Sequence, residues 1–363
     1  MPQNRLYEDP REIGKLFVIG IPGPEFTPET RELMHDFNPS GVILFSRNIE
    51  NPIQTGALNH CLQAYARQRM SEGLLIGVDQ EGGRVRRLKE PFSWFPPSLE
   101  MAGSDDPEAA VRDFGTVTAK EIRSIGFNLD FVPVLDVISQ THDLDSSVIG
   151  DRSYGPDPEI VSILGCAAID ALRTGGVIPC CKHFPGHGGT SVDSHKMLPE
   201  DDREADLIEK SDLAPFRKAV EMDVEMVMTA HVLYRSLDSS EPATLSGKVV
   251  DGILRKGMGY EGVVITDDLE MGAVANRYSL DECAFRAFSA GVDLLLMCHD
   301  PNEAFAARSR LTEAVKEGEI PFERVQESLR RVERLKSRYA HSMSPCDLSR
   351  VRDLFGSRTH GGL

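Results

Sequence analysis

Eight short, strongly apolar runs recur along the 363-residue chain: 15–21 (KLFVIGI), 41–45 (GVILF), 74–79 (LLIGVD), 127–135 (FNLDFVPVL), 177–183 (VIPCCKH), 224–231 (VEMVMTAH), 262–267 (GVVITD) and 292–297 (VDLLLM). No other feature restricts the fold as much. Their near-continuous apolar character is that of strands covered on both faces, as parallel strands in α/β proteins are. Between them lie stretches of helical period at 52–70, 107–125, 157–174, 211–222, 247–257, 279–290 and 302–317, and 321–339 reads as a last helix with Pro321 in its first turn. Eight such alternations predict a single (β/α)8 TIM barrel, since doubly wound α/β sheets usually have fewer strands. No low-complexity linker divides the chain, so one catalytic barrel is expected over 1–340. The remainder, 341–363, is expected to be a partly disordered extension.

Composition narrows the function classes. A net charge of −17 disfavours nucleic acid, whose phosphates need a basic footprint, and disfavours anionic membrane surfaces. No apolar run approaches the roughly 18 residues of a membrane span. The opening MPQNRLYEDPREIG has no apolar core, so no signal peptide is expected. The seven cysteines are odd in number and mostly embedded in apolar segments, a pattern of reduced thiols in a cytoplasmic protein.

The loops after the strand C-termini form the active face of such a barrel. Polar residues collect there: Asp79 after the third run, Lys182 and His183 at the fifth, His231 at the sixth, Asp267 and Asp268 at the seventh, His299 and Asp300 after the eighth. Arg152 lies in the long loop after the fourth. Any one of these is more often a solvated loop residue than a catalytic one. Five strand ends converging on one face point to an enzyme.

The segment 181–199, CKHFPGHGGTSVDSHKMLP, is the densest in titratable groups. His183, His187, His195 and Asp193 raise the possibility of a metal site. Barrel metallohydrolases usually carry a His-x-His pair after the first strand, where this chain reads GIPGPEF, and no compact zinc spacing occurs. No metal or cofactor is therefore expected. Acid–base chemistry fits better. Asp267 would be fixed on rigid backbone, and Asp193 can hold one nitrogen of the His195 ring while the other faces substrate.

Taken together, VDQEGGRVRR, KHFPGHG, DSH and ITDDLEMGA resemble the single-domain, NagZ-type β-N-acetylglucosaminidases of glycoside hydrolase family 3. The likeness runs in order through roughly residues 10 to 335. It implies a retaining mechanism through a covalent glycosyl-enzyme, with Asp267 as nucleophile and Asp193–His195 as the acid/base dyad. It places sugar binding on Asp79, Arg87, Arg152, Lys182 and His183. The substrates it implies are cell-wall turnover products, GlcNAc joined to anhydro-N-acetylmuramic acid with or without a peptide, handled by a monomer.

Other residues have competing readings. Glu81 is an alternative acid or a loop brace. His187 either lines the pocket or shapes its loop as a hydrogen-bond donor, His231 lines the pocket or satisfies a neighbouring carboxylate, Asp268 packs against or caps the following helix, and Asp136 braces the Arg152 loop. Gly189 stands where many relatives carry Asp after GHG. Two alternatives to the hydrolase stay open, a phosphorylase and a non-catalytic sugar-binding protein.

Overall fold

The computed structural model describes residues 9–70, 72–139, 147–190, 192–340 and 346–356. Eight parallel strands close into a barrel in chain order: β1 (Phe17–Gly20), β2 (Gly41–Ile43), β3 (Leu75–Val78), β4 (Leu129–Asp130), β5 (Ile178–Phe184), β6 (Met226–Thr229), β7 (Val263–Asp268) and β8 (Leu294–Met297), with β8 pairing back onto β1. Each strand falls within a predicted run or overlaps it. The helices that follow them in turn are α1 (Pro28–Phe37), α2 (Pro52–Tyr65), α3 (Pro107–Ser124), α4 (Pro158–Thr174), α5 (Leu213–Glu221), α6 (Lys248–Gly257), α7 (Leu280–Ala290) and α8 (Pro301–Lys316). A further helix, α9 (Phe322–Tyr339), comes next.

The sequence reading had no helix between the first two strands. There, α1 starts at a Thr27 cap whose hydroxyl accepts from the Thr30 N–H, with Pro28 in the first turn, and ends on left-handed Asn38. These are local start and stop signals. The extension contributes a helix of its own. Its residues 348–356 form α10 (Leu348–Gly356), which packs on α2 through buried Val351 and Phe355. The ring of Phe355 lies 4.6 Å from that of Phe92. The rest of the tail, 341–345 and 357–363, lies outside the described residues.

The core has two compartments. One lies between the strands and the ring of helices. The other fills the barrel with inward side chains such as Val18, Leu75, Phe131, Met226, Ile265 and Leu294. Helix α9 closes its lower end with Val332, Leu335 and Tyr339. Gly77 makes room for the largest inward side chain: a Cβ there would lie 2.8 Å from the Phe131 ring. The lower end is thus plugged and the chemistry is left to the other mouth.

Candidate active site

At the C-terminal mouth of the strands lies a cavity of about 390 Å³ whose lining includes Asp79, Glu81, Arg87, Arg152, Lys182, His183, His187, His195 and Asp267. Two strands depart from regular register there. The β5–β6 register shifts between Cys181 and Phe184, and the β7–β8 register shifts between Ile265 and Asp268. Regular pleating sends neighbouring side chains to opposite faces, and irregular register re-aims them. Both Lys182 and His183 accordingly reach the cavity, and Asp267 is turned into it.

Four of the five predicted sugar-binding residues, Asp79, Arg87, Arg152 and Lys182, form one ionic lattice with Glu81. The Lys182 ammonium donates to Asp79 at 2.8 Å and pairs with Glu81 at 2.6 Å. Arg152 grips both oxygens of Glu81 at 2.8 Å each, and Arg87 donates to Asp79 at 3.3 Å. Burial alone would raise the Glu81 pKa, but Arg152 and Lys182 outweigh it and hold the carboxyl well below the usual carboxylate range. Burial likewise opposes the charge on Lys182, and Asp79 and Glu81 raise its pKa above the ordinary lysine value. Glu81 is therefore a charged brace with no proton to give at neutral pH. That removes it as the alternative acid.

Asp136 does not brace the Arg152 loop with its side chain. One carboxylate oxygen accepts the backbone N–H groups of His183 (3.1 Å) and His187 (2.7 Å), and the other binds His183 Nδ1 at 2.7 Å. Burial works against the Asp136 anion, yet the neighbouring His183 keeps its pKa lowered. His187 lines the cavity while its ring nitrogens meet the hydroxyls of Thr190 (2.8 Å) and Ser194 (3.0 Å). Burial, reinforced by His183, pushes the His187 pKa down to about 4, so the ring is a neutral strut at physiological pH. His231 is not a pocket residue. It is buried behind β7, with Nε2 donating to the Asp268 carbonyl at 2.9 Å and Nδ1 against Thr244 at 2.8 Å.

Asp267 accepts the Asp268 N–H at 2.8 Å. Burial would raise its pKa, but the His183 and His231 rings, then that hydrogen bond and Lys182, leave it lowered. The carboxylate is thus ionised, fixed and aimed into the cavity. Asp268 accepts the Glu270 N–H at 3.1 Å and faces His299 Nε2 at 3.3 Å, but it does not cap the short helix that follows, Gly272–Ala275, whose N-cap is Met271.

The dyad stands on the far side of the Gly-rich loop. His195 Nδ1 lies 3.0 Å from Asp193 Oδ1, which also accepts the His195 N–H at 3.0 Å. Burial opposes the Asp193 anion, and these hydrogen bonds with the His195 ring lower its pKa. The tie leaves Nε2 free on a side chain that is 65% exposed. The loop docks on the segment after β7: Gly272 N–H donates to the His195 carbonyl (3.1 Å), Ala273 N–H to Ser194 (3.0 Å) and Asn276 Nδ2 to Lys196 (3.0 Å). A Cβ on Gly272 would lie 2.7 Å from the Lys196 carbonyl and 2.9 Å from that of His195. Gly272→Ala must therefore push the loop away. We expect a loss of about 10–100-fold in kcat on a sugar–sugar bond, from misplacing the proton donor by about an ångström. The loss should be smaller on a nitrophenyl glycoside. Equal losses on both would show that the contact serves folding alone.

Glu270 was not singled out from the sequence. It accepts three consecutive backbone N–H groups, of Cys298 and His299 at 2.6 Å and Asp300 at 2.8 Å, and so ties the β8 loop to the β7 loop. Its only sequence signal was its place in TDDLE, directly after a functional strand. Gly189 has a structural counterpart in Arg203, whose guanidinium lies 2.2 Å from where a Cβ would be. Arg203 is held there by Asp201 (2.6 Å) and Asp212 (2.8 Å).

Comparison with known proteins places this arrangement. The glycosyl hydrolase family 3 N-terminal domain matches residues 10–335. The chain belongs to this family. A β-hexosaminidase of Alkalilimnicola ehrlichii is 40% identical over 289 residues, which is 78% of this chain and 80% of that protein. β-Hexosaminidase A of Pseudoalteromonas piscicida is 33% identical over 92% of this chain, but the chain spans only 58% of its length. Among solved structures, a family 3 β-N-acetylglucosaminidase from Paenibacillus shares 36% identity with a TM-score of 0.86, covering 96% of this chain and 68% of that one. NagZ from Neisseria gonorrhoeae, solved with N-trifluoroacetyl-D-glucosamine, shares 32% identity with a TM-score of 0.78, covering 94% and 95%. This family 3 protein is therefore a glycoside hydrolase of the β-hexosaminidase branch on a (β/α)8 barrel. No helix among its described residues is long and apolar enough to cross a membrane.

Proposed function

We propose that the enzyme is a retaining exo-β-N-acetylglucosaminidase with Asp267 as nucleophile and His195, oriented by Asp193, as proton donor and acceptor. The observation that carries this reading is the pairing in one mouth of an ionised, rigidly held Asp267 with an imidazole tied at Nδ1 and free at Nε2. Asp79, Arg87, Arg152, Lys182 and His183 bind the hydroxyls of the non-reducing sugar. The lattice that fixes the first four, and the Asp136 carboxylate that holds His183, support strong, directional hydrogen bonds from charged groups.

In the first step the Asp267 carboxylate attacks the anomeric carbon while His195 Nε2–H protonates the leaving oxygen. The neutral imidazole then takes a proton from water, which displaces Asp267 and restores the anomeric configuration. Most retaining glycosidases use a second carboxylate as the acid. Glu81 is unavailable for that role here, because Arg152 and Lys182 hold it ionised.

The natural substrates that the family resemblance implies are GlcNAc–anhydro-N-acetylmuramic acid fragments of peptidoglycan, with or without peptide, met in the cytoplasm. Release of nitrophenol from nitrophenyl β-N-acetylglucosaminide, with and without inorganic phosphate, tests the reading. Hydrolysis to free GlcNAc unaffected by phosphate is expected. Formation of GlcNAc-1-phosphate would make the enzyme a phosphorylase, and no turnover would leave a sugar-binding protein.

A further inference from the structure

The match to the family 3 domain ends at residue 335, and α10 lies beyond it. Close contacts seat this helix on the barrel. A Cβ on Gly56 of α2 would lie 3.1 Å from the Cys346 Sγ and 3.2 Å from the Leu348 side chain, so the start of α10 rests against bare α2 backbone. The Cys346 carbonyl lies 3.2 Å from His60 Nδ1, and its thiol donates to the Ser124 carbonyl, at the end of α3, at 3.2 Å. Val351 is fully buried in this seat. Phe355 reaches a different element. Its ring lies 4.6 Å from that of Phe92, tilted by 56°, and both side chains are buried.

Phe92 belongs to the loop that carries Arg87. The two ends of that loop are tied down: Gln80 Oε1 accepts the N–H groups of Arg87 (3.1 Å) and Leu88 (3.0 Å), and Glu121 of α3 accepts the N–H (2.9 Å) and hydroxyl (2.7 Å) of Ser93. Between these ties Lys89 and Glu90 are exposed, whereas Phe92 is buried. Arg87 and Phe92 also line the same small cavity, of about 170 Å³, beside the mouth. Arg87 is the least firmly held cation of the ionic lattice. Arg152 grips Glu81 twice at 2.8 Å, and Lys182 meets Asp79 at 2.8 Å and Glu81 at 2.6 Å. Arg87 has one hydrogen bond of 3.3 Å to Asp79 and a 5.6 Å approach to the Phe45 ring, and its Nε is buried without a hydrogen-bond partner among the described residues. A side chain so lightly held takes its place from the backbone that carries it.

We propose that α10 is a positioning element of the active site: Phe355, through Phe92, holds the loop of residues 87–92 so that the Arg87 guanidinium stands against Asp79 and reaches the bound sugar. A packed pair of aromatic rings favours one relative placement beyond the area it buries. Truncating Phe355 leaves a void into which Phe92 shifts, and the loop carries Arg87 out of line with Asp79. Asp79, Glu81, Arg152 and Lys182 stay in place, because they are tied to one another. The proposal rests on the reading of Arg87 as a sugar-binding residue and adds the helix outside the family domain that places it.

The test measures kcat and KM on nitrophenyl β-N-acetylglucosaminide for the 363-residue chain and its variants, with thermal unfolding of each. Binding shared by the ground state and the transition state shows in KM and leaves kcat alone. Arg87→Met should raise KM about tenfold or more, as for a lost charge-assisted hydrogen bond, and Phe355→Ala about three- to tenfold, with kcat within about twofold. Phe355→Leu should recover part of the loss. Val351→Ala, on the same helix, should lower the thermal midpoint and leave KM as in the parent. Phe355→Ala added to Arg87→Met should raise KM by less than about 1.5-fold further, because both changes remove one interaction. If Phe355→Ala does not fold, Phe355→Leu and Phe92→Leu carry the same comparison. An unchanged KM in the Phe355 variants, an equal rise in Val351→Ala, or a full further rise on top of Arg87→Met overturns the positioning role alone. A parent-like KM in Arg87→Met overturns the sugar-binding reading of Arg87 and the proposal with it.

Discussion

Asp267→Ala is expected to fold like the parent and to lose on the order of 10³-fold or more in kcat on every β-N-acetylglucosaminide, whatever its leaving group. The side chain sits at the mouth end of β7 and is not part of the packed barrel interior. Its removal takes away a carboxylate and one hydrogen bond to the Asp268 N–H. The thermal midpoint should therefore move by only a few degrees, as for a change of about 1 kcal/mol or less in a domain of this size. What disappears is the covalent intermediate that splits one high barrier into two lower ones. A variant that kept more than a tenth of the activity would move the nucleophile to another residue. Asp268, the next carboxylate on the strand, would be tested first.

His195→Ala should show a different signature. Nitrophenolates leave without much protonation, so formation of the glycosyl-enzyme from such substrates should suffer little, whereas cleavage of a sugar–sugar bond should fall by about 10²–10⁴-fold. The second step still needs a base to activate water. The covalent intermediate should therefore accumulate as a burst of nitrophenol, and added azide, which needs no deprotonation, should speed turnover. Asp193→Ala should give a milder version, because the ring survives without its partner at Nδ1. Equal losses on nitrophenyl and natural substrates with no azide rescue would make His195 a binding residue.

Much of the fold was legible because apolar periodicity and barrel geometry are nearly the same information. Each run ended where a strand meets solvent, so Asp79, Lys182, His183 and Asp267 could be assigned to one face before any contact was known. Legibility stopped where function depends on long-range pairing. Glu81 lost its candidacy as an acid through Arg152, 71 positions away, and no local pattern announces that. His231 read like a pocket residue because it ends an apolar run, yet its ring is consumed by the Asp268 carbonyl on a neighbouring strand. Nor does pattern alone explain how adjacent Lys182 and His183 both enter the cavity, since that depends on a register shift in β5. Asp136 was misassigned for a related reason. Its carboxylate reaches backbone N–H groups 47 and 51 positions on, which only the neighbouring strand brings close.

The central claim is that a covalent bond forms between the sugar and Asp267. A GlcNAc derivative with fluorine at C5 and a good leaving group slows both steps by destabilising positive charge at the ring, and the good leaving group rescues only the first. Incubation with this reagent followed by proteolysis and tandem mass spectrometry should find one sugar adduct, on the peptide containing Asp267, with fragment ions placing it on that residue. An adduct on Asp268 or any other side chain, or inactivation with no adduct at all, would contradict the account.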